Sequence, residues 1–343
     1  MKPANSVPAE GSGSVSPVHP PEGHQGRWST LLILVAMVLI GSSTATAAKF
    51  AVSDLPIPLL PVVRFGVAGL ALLPWLGGLA VIRSMLRRDI VLLALAAFLA
   101  VPVNQAFFLN ATRLAPTTHV GLIYASCPLV VLGLALWLRH EQLDSARLIG
   151  IVASVAGAAV IALGSLLQRE PGAAGTATLW GDLLLVGAVT SWGGYLTVNK
   201  RLLGRYPAIA VLGMTFLLGS AMCLPLAIWT SPGWLPMLSS TRPQAWAGLI
   251  YLTLVASVLG LACQNMALRR LEASHVAAVG NLSPVLTVLW GVWLLGEGLN
   301  LSLVLGGTLT LAGVAMASHA AMRKAARRVS ADVAEAASVV QTA

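Results

Sequence analysis

Charged residues are scarce in this chain. They make up 10% of its 343 residues, whereas hydrophobic residues make up 57%. A soluble domain carries roughly a quarter charged residues, so this composition excludes an ordinary soluble protein. Apolar runs of about twenty residues instead predict a polytopic membrane protein, because a helix needs that length to cross the hydrocarbon core.

Cysteine is equally sparse, and the familiar catalytic motifs are missing. Cys127, Cys223 and Cys263 lie inside apolar runs and show no C-x-x-C or Cys/His spacing, which excludes a disulfide framework and gives no metal signal. The sequence has no H-E-x-x-H, no phosphate-binding loop and no Ser/His/Asp set. It therefore predicts neither an enzyme nor a metal or cofactor site.

The net charge of +9 does not indicate nucleic-acid binding, since the basic residues lie in short loops instead of one solvent face. With the N-terminus inside, sixteen Lys and Arg residues fall on the inner side and four on the outer, and Arg64 remains inside a span. This bias predicts that both termini are cytoplasmic. We expect a multi-pass protein of the cell inner membrane.

One segment of the chain occurs twice. Residues 113–141 recur at 269–297 with a constant shift of 156. The shift matches Arg113 with Arg269, His119 with His275, Pro128 with Pro284, Trp137 with Trp293 and Glu141 with Glu297. Upstream the shift is 151, which matches Lys49 with Lys200 and Phe65 with Phe216, and extra residues near 230–245 account for the difference. The chain is two copies of one unit.

The apolar pattern predicts an all-α fold of ten transmembrane helices. We expect them near 29–48, 57–77, 90–111, 118–138, 146–166, 179–199, 208–229, 246–267, 274–294 and 301–319. The predicted organisation is a disordered cytoplasmic tail (1–28), a first repeat (29–167), a second repeat (168–319) and a cytoplasmic tail (320–343). Each copy has five spans, an odd number, so the copies must run in opposite directions.

Inverted repeats are typical of secondary transporters, with a substrate site at the repeat interface near the midplane. A structural bundle or a channel is the alternative for the duplication. For the whole protein, the rival functions are an integral-membrane transferase and a non-transporting membrane scaffold. The expected partners are a small-molecule solute and membrane lipids. The sequence leaves open whether the protein is a monomer or a homodimer.

The chain also resembles the EamA family of the drug/metabolite transporter superfamily, whose members have ten helices in two five-helix units. The resemblance covers residues 29–319. It is carried by Pro56 with Arg64-Phe65, the small-residue run from Gly41 to Lys49, SWGGYLTVNK at 191–200, and Glu-x-Leu after a central proline at 141–143 and 297–299. Gly41-Ser42 departs from the Trp-Gly that the family often has and that Trp192-Gly193 keeps. The resemblance implies export or exchange of small metabolites.

Polar side chains at mid-span are the candidates for substrate contact. They are Asn104, Gln105, Tyr124, Trp192, Tyr195, Gln264, Asn281 and Ser283. An amide in hydrocarbon is costly without a partner, so these side chains should point inward. Hydrogen bonding between helices is the alternative for any one of them. As a set on corresponding helices they favour a cavity, and Trp192 and Tyr195 can share a helix face.

Arg64 is the one full charge inside a span, and its match in the second copy is Thr215. It either binds an anionic substrate group or packs and snorkels towards the surface. Pro128 and Pro284 lie at matched positions and predict kinks or hinges.

Other ionisable residues fall at the span edges. Glu141 and Glu297 should bind nearby cations or backbone groups, and His119 and His275 should be interfacial. All twelve carboxylates fall in tails, loops or first turns, with Asp182 the deepest. This favours facilitated diffusion, exchange, or coupling through the substrate's own charge over a carboxylate proton relay.

Overall fold

The fold is helical throughout the part of the chain that the structure, a computed structural model, describes: residues 24–137, 145–167, 174–231, 241–270, 279 and 282–316. The predicted C-terminal tail and most of the N-terminal tail lie outside those residues. The first helix, α1, begins at His24, inside the predicted tail.

Twelve helices are defined within the described residues. The first six are α1 (His24–Ala51), α2 (Leu59–Leu72, continued by a 3-10 turn Leu73–Trp75), α3 (Leu79–Arg88), α4 (Ile90–Leu114), α5 (Thr117–Tyr124) and α6 (Cys127–Trp137). The others are α7 (Ser145–Leu167), α8 (Ala174–Leu203), α9 (Ala208–Thr230), α10 (243–270), α11 (Ser283–Leu295) and α12 (Leu301–Met316).

Four helical stretches are long and apolar enough to cross a membrane. They are Trp28–Val52, Ile90–Leu114, Ala208–Thr230 and Pro243–Gln264. Shorter apolar helices cover Leu59–Trp75, Thr117–Val131, Leu148–Ile161, Ser283–Leu295 and Leu301–Met316. Because lipid offers no partners for backbone groups, helices of this composition define an all-helical membrane fold.

Helix α3 lies between the second and third predicted spans, where the sequence predicts a loop. The ten residues Leu79–Arg88 form an amphipathic helix: Met85 is fully buried, and Arg83, Arg87 and Arg88 are exposed. The prediction was wrong here because a short amphipathic helix lacks the apolar length by which spans were recognised.

Two other helices depart from a simple span. The predicted fourth span is divided into α5 and α6 at Ala125 and Ser126, directly before Pro128. Helix α11 begins at Ser283, so Pro284 occupies its first turn. Proline lacks the amide hydrogen that a helix interior uses, so helix boundaries at both prolines follow from their chemistry.

The two copies share a backbone irregularity. Helix α4 contains a π-helical segment, Leu99–Val103, and α10 contains another, Tyr251–Leu259. With the shift of 156 the first segment falls on residues 255–259, inside the second. Pro102 lies in the first segment alone, so proline is not the shared cause. Such π-segments are frequent at functional sites.

Helices α7 and α12 cross through glycines. A Cβ on Gly157 would lie 2.5 Å from the Gly306 carbonyl oxygen, and one on Gly306 would lie 2.6 Å from the Gly157 carbonyl oxygen. A Cβ on Gly313 would lie 2.5 Å from the carbonyl oxygen of Gly150. These contacts make the two helices antiparallel, and they show that the glycines, which the repeat pairs as Gly150 with Gly306 and Gly157 with Gly313, are packing residues.

Two clusters of buried apolar residues pack most of the other helices together. The first joins α1, α4, α5, α8 and α10 through buried residues that include Ala48, Leu109, Ile123, Leu185 and Leu252. The second joins α2, α4, α8 and α9 through Leu72, Leu93, Leu202 and Val211. A cavity lies between these clusters.

Candidate functional site

The cavity has a volume of about 340 Å³ and is lined by both copies. The first copy contributes residues of α1, α2, α4 and α5, and the second contributes residues of α8, α9, α10 and α11. Many lining positions are repeat partners: Gly41 with Trp192, Phe65 with Phe216, Asn104 with Gly260, Gln105 with Leu261, and Phe108 with Gln264. The cavity therefore lies at the interface between the two copies.

Arg64 of α2 lines this cavity with 8% of its surface exposed. Its Nε donates to Ser257 Oγ at 3.1 Å, which joins the first copy to the second, and its Nη1 donates to Gln105 Oε1 at 3.5 Å. The guanidinium carbon lies 4.7 Å from the centroid of the Phe65 ring, within cation–π distance. The side chain is thus directed into the cavity and held by neutral groups.

The amides of α4 continue from Arg64 as a hydrogen-bonded row. Gln105 Nε2 donates to Asn104 Oδ1 at 2.9 Å. Asn104 Nδ2 donates to the Ala188 carbonyl oxygen at 2.8 Å and to the Tyr124 hydroxyl at 3.3 Å. Because Asn104 and Gln105 are buried, each bond offsets the cost of removing an amide from water.

Aromatic rings form much of the remaining wall. Phe65 and Phe216 have ring centroids 4.8 Å apart, and Phe108 meets Tyr124 edge-on at 5.9 Å. Trp192 also lines the cavity. An apolar wall with a few fixed polar groups is the usual composition of a small-molecule site.

The structure brings most of the predicted site residues together. Arg64, Asn104, Gln105, Tyr124, Trp192, Gln264 and Ser283 all line the cavity. Tyr195 does not; it is buried against Trp192, with ring centroids 4.8 Å apart, so the two residues share a helix face as expected. Asn281 lies outside the described residues.

Ser257 is a site residue that the sequence analysis missed. Its hydroxyl donates to the Leu252 carbonyl oxygen, five residues earlier, at 2.9 Å, and its oxygen accepts from Arg64. The five-residue spacing comes from the π-segment of α10. A lone serine in an apolar run carries no signal of this role, whereas the matched Phe65 and Phe216 could have been found from the repeat.

The structure gives His119, which the sequence predicts at the membrane interface, a buried partner that the sequence does not predict. His119 is 4% exposed, and its Nδ1 lies 2.8 Å from Oδ1 of Asp182, which is 1% exposed. Helix α8 begins at Ala174, so Asp182 lies about two turns inside it and not in its first turn. A buried carboxylate therefore exists in the protein, and the premise against a carboxylate relay fails. His275 lies outside the described residues.

Glu297 ties the second copy to the first, as the sequence predicts. Its carboxylate accepts the backbone N–H groups of Thr117 at 2.6 Å and Thr118 at 2.8 Å, at the start of α5. Lys49 Nζ lies 3.2 Å from Glu297 Oε1 and also donates to the Ala115 carbonyl oxygen at 3.1 Å. The same prediction for Glu141 concerns a residue outside the described part of the chain.

The pKa of Glu297 reflects two opposing effects. Burial raises it, but the N–H donors of Thr117 and Thr118 and the charge of Lys49 outweigh burial, so the pKa lies below its ordinary 4.5. The carboxylate is therefore held in its charged form, as a cap on the N-terminus of α5.

Further polar ties lie at the two ends of the molecule. Asp54 pairs with Arg242 through two side-chain hydrogen bonds of 2.7 and 2.8 Å, and the Arg242 bond lowers the pKa of Asp54 to about 2. Asp89 accepts from Tyr206 at 2.7 Å and pairs with Arg205. Both ties join the first copy to the second.

The fold and the cavity define an integral membrane protein of the transporter class, built from a repeated unit. The chain belongs to the EamA-like transporter family, whose sequence pattern matches residues 27–163 and again residues 179–319.

Relatives agree with this assignment. The chain is 29% identical over 282 residues to a probable terminal-alkyne amino-acid exporter of Streptantibioticus cattleyicolor, covering 82% of this chain and 90% of that protein. It is 24% identical over 289 residues to an uncharacterized transporter of Archaeoglobus fulgidus, covering 83% of this chain and 96% of that one. One crystal structure matches with a TM-score of 0.58 at 22% identity, over 86% of this chain and 98% of that chain, which shows the shared fold.

Proposed function

We propose that the protein is a secondary transporter that exports or exchanges a small organic solute by alternating access. The observation that carries this proposal is the cavity lined by repeat partners of both copies. Two similar halves around one site give two states of comparable energy, each open to one side. The solute contacts are Arg64, Asn104, Gln105, Tyr124, Trp192, Gln264 and Ser283.

The architecture proposed for this function is ten transmembrane helices in two inverted copies, in the inner membrane, with both termini cytoplasmic. The contacts between α7 and α12 support the inversion, because the shift of 156 exchanges the Gly157–Gly306 contact with the Gly313–Gly150 contact on antiparallel helices. The matched π-segments support a common fold for the two copies. The boundaries at Pro128 and Pro284 would act as hinges, since each lies at a helix start beside the cavity wall.

The related exporter acts on an amino acid by name, which supports a small polar metabolite as the class of solute. The cavity volume of about 340 Å³ lies at the low end for small-molecule sites, so the solute is a small one.

The first prediction tests the cavity by filling it. Gly41 lines the cavity, a Cβ there would first meet Ser283 Oγ at 3.7 Å, and its repeat partner is Trp192. Gly41→Trp should therefore place an indole in the solute space and abolish transport while the protein still folds. Untargeted profiling of metabolites retained by cells with and without the protein identifies the solute. Flux of that solute in proteoliposomes then measures the variant.

Gly133→Leu is the matched control, since Gly133 is exposed and a Cβ added there would meet no heavy atom within 4 Å. It should transport as the wild type does. A retained-metabolite profile unaffected by the protein, or equal flux with Gly41→Trp, would contradict the proposal. The first result would favour a scaffold or a membrane transferase, and the second would place the solute path outside this cavity.

The second prediction concerns topology. Single cysteines at Ser53, between α1 and α2, and at Gly204, between α8 and α9, are placed in a protein whose three native cysteines are replaced. The charge bias predicts that the cysteine at Ser53 reacts with an impermeant thiol reagent in intact cells. The cysteine at Gly204 should react after the cells are opened. Labelling in the reverse order would overturn the proposed orientation.

A further inference from the structure

Arg64 is a buried cation whose partners are all neutral. Ser257 Oγ and Gln105 Oε1 accept from it, and the Phe65 ring lies beside it. Burying a guanidinium without an opposite charge is costly, because neutral hydrogen bonds replace only part of its hydration. A packing role does not offset that cost, so we expect an opposite charge beside the guanidinium.

The described part of the chain supplies no such counter-charge. Its four carboxylates are each paired elsewhere: Asp54 with Arg242, Asp89 with Arg205, Asp182 with His119 and Glu297 with Lys49. Among the described residues that line the cavity, Arg64 is the one that carries a charge. The described lining of the cavity is therefore electropositive, with Arg64 as its single cation.

The geometry leaves room for a ligand on Arg64. A guanidinium has five N–H donors, and the contacts with Ser257 and Gln105 use two of them. These two contacts and the Phe65 ring hold the side chain in place. The remaining donors form the planar edge that binds carboxylates through two parallel hydrogen bonds.

We propose that the cavity selects a small organic monoanion of the carboxylate class, and that Arg64 pairs with its charge. One cation matches one negative charge, which favours a monoanion over a phosphate dianion. The aromatic wall of Phe65, Phe108, Trp192 and Phe216 receives an apolar or aromatic body. This inference deepens the proposed transport function and rests on it for its physiological meaning.

The test measures binding to the purified full-length protein by isothermal titration. Three acids are compared with their amides, which match them in shape but lack the charge: hexanoate, 3-phenylpropionate and indole-3-acetate. At least one acid should bind about tenfold or more tightly than its amide, since hydrogen bonds to charged groups are the stronger ones. Phenylalanine, which adds an ammonium group to 3-phenylpropionate, should bind more weakly than 3-phenylpropionate.

Variants then assign the preference to Arg64. Arg64→Gln should bind acid and amide equally, and Arg64→Lys should keep part of the preference because it keeps the charge. Arg87→Gln is the control, because Arg87 is exposed on α3. The melting temperature of each variant without ligand checks its folding. If Arg64→Gln does not fold, the comparison of acids with amides on the wild type still decides.

Equal binding of all acids and amides by the wild type, no binding of any acid, or a preference that survives in Arg64→Gln would each overturn the inference. The outcome is separable from that of the transport proposal. If acids bind through Arg64 but Gly41→Trp blocks no flux, the transport proposal fails and the anion-site proposal stands. If Gly41→Trp blocks the flux of a neutral solute but the protein does not prefer acids to amides, the transport proposal stands and the anion-site proposal fails.

Discussion

The two copies agree in their backbone and differ in their cavity side chains. The agreement is seen in the matched π-segments and in the mirrored glycine contacts of α7 and α12. The difference is seen where Arg64 matches the buried Thr215, and where Asn104 and Gln105 match Gly260 and Leu261. The packing of the helices is thus alike in the two copies at these points, whereas most of the matched lining positions differ, with Phe65 and Phe216 as the exception.

This difference has a direction. The first copy contributes the cation and the hydrogen-bonded amides to the cavity. The second copy contributes Trp192, the repeat partner of Gly41, and Gln264, the repeat partner of Phe108. Among the described residues of the second copy, Ser257 is the one that accepts a hydrogen bond from Arg64. If the proposed function holds, recognition of the solute rests mainly on the first copy, and the second copy shapes the space.

The largest effect is expected where the copies are most alike. Gly157→Val and Gly306→Val each place a Cβ about 2.5 Å from the other glycine's carbonyl oxygen. Backbone atoms cannot yield as a flexible side chain can, so each variant should lose about 3 kcal/mol of stability. The measurement is the free energy of unfolding in detergent. Because each glycine contacts the other's carbonyl oxygen at nearly the same distance, the two losses should be similar.

Gly133→Val is the control, since its Cβ would meet nothing within 4 Å. Full stability of either Gly157→Val or Gly306→Val would break the comparison, because the two helices would then not be packed as a symmetric pair.

The sequence predicted the parts of the fold that leave a periodic or duplicated record. The repeat and the apolar helices follow from spacing alone. Helix α3, the interruption before Pro128 and the π-segments leave no such record, since each depends on local packing that a run of apolar residues does not specify. Secondary-structure boundaries are the least determined feature of an apolar sequence.

For the cavity, the sequence identified polar residues at mid-span because an unpartnered amide in hydrocarbon is costly. It missed Ser257, whose role depends on a π-segment, and it did not pair His119 with Asp182. The partner of His119 is Asp182, 63 residues away on another helix. Pairing between helices is a property of packing, so a single sequence without aligned relatives does not reveal it.

A smaller effect is expected at the tie made by Glu297. Glu297→Gln removes the charge that Lys49 pairs with and weakens the cap on Thr117 and Thr118. We expect a loss of about 1 to 2 kcal/mol at neutral pH, because charge-assisted hydrogen bonds exceed neutral ones by this order. The free energy of unfolding of both proteins, measured from pH 7 down to pH 3, gives the result.

The pH dependence follows from the sign of the pKa shift. The pKa of Glu297 in the folded protein lies below its ordinary 4.5, so its contribution is complete above that value and is lost as the pH falls through the lowered pKa. The wild type should therefore approach Glu297→Gln at the acid end. Asp54→Asn is the control, because the pKa of Asp54 is about 2 and its pair with Arg242 is exposed.

Glu141 sharpens the comparison between the copies. It is the repeat partner of Glu297, and Lys200 is the partner of Lys49, so the proposed inversion predicts the same tie at the opposite end of the molecule. Glu141→Gln should then lose a similar stability with a similar pH dependence. If it loses none, the two ends are tied differently, and the tie made by Glu297 has no counterpart at the opposite end. That result would extend the asymmetry between the copies from the cavity lining to the ends of the molecule.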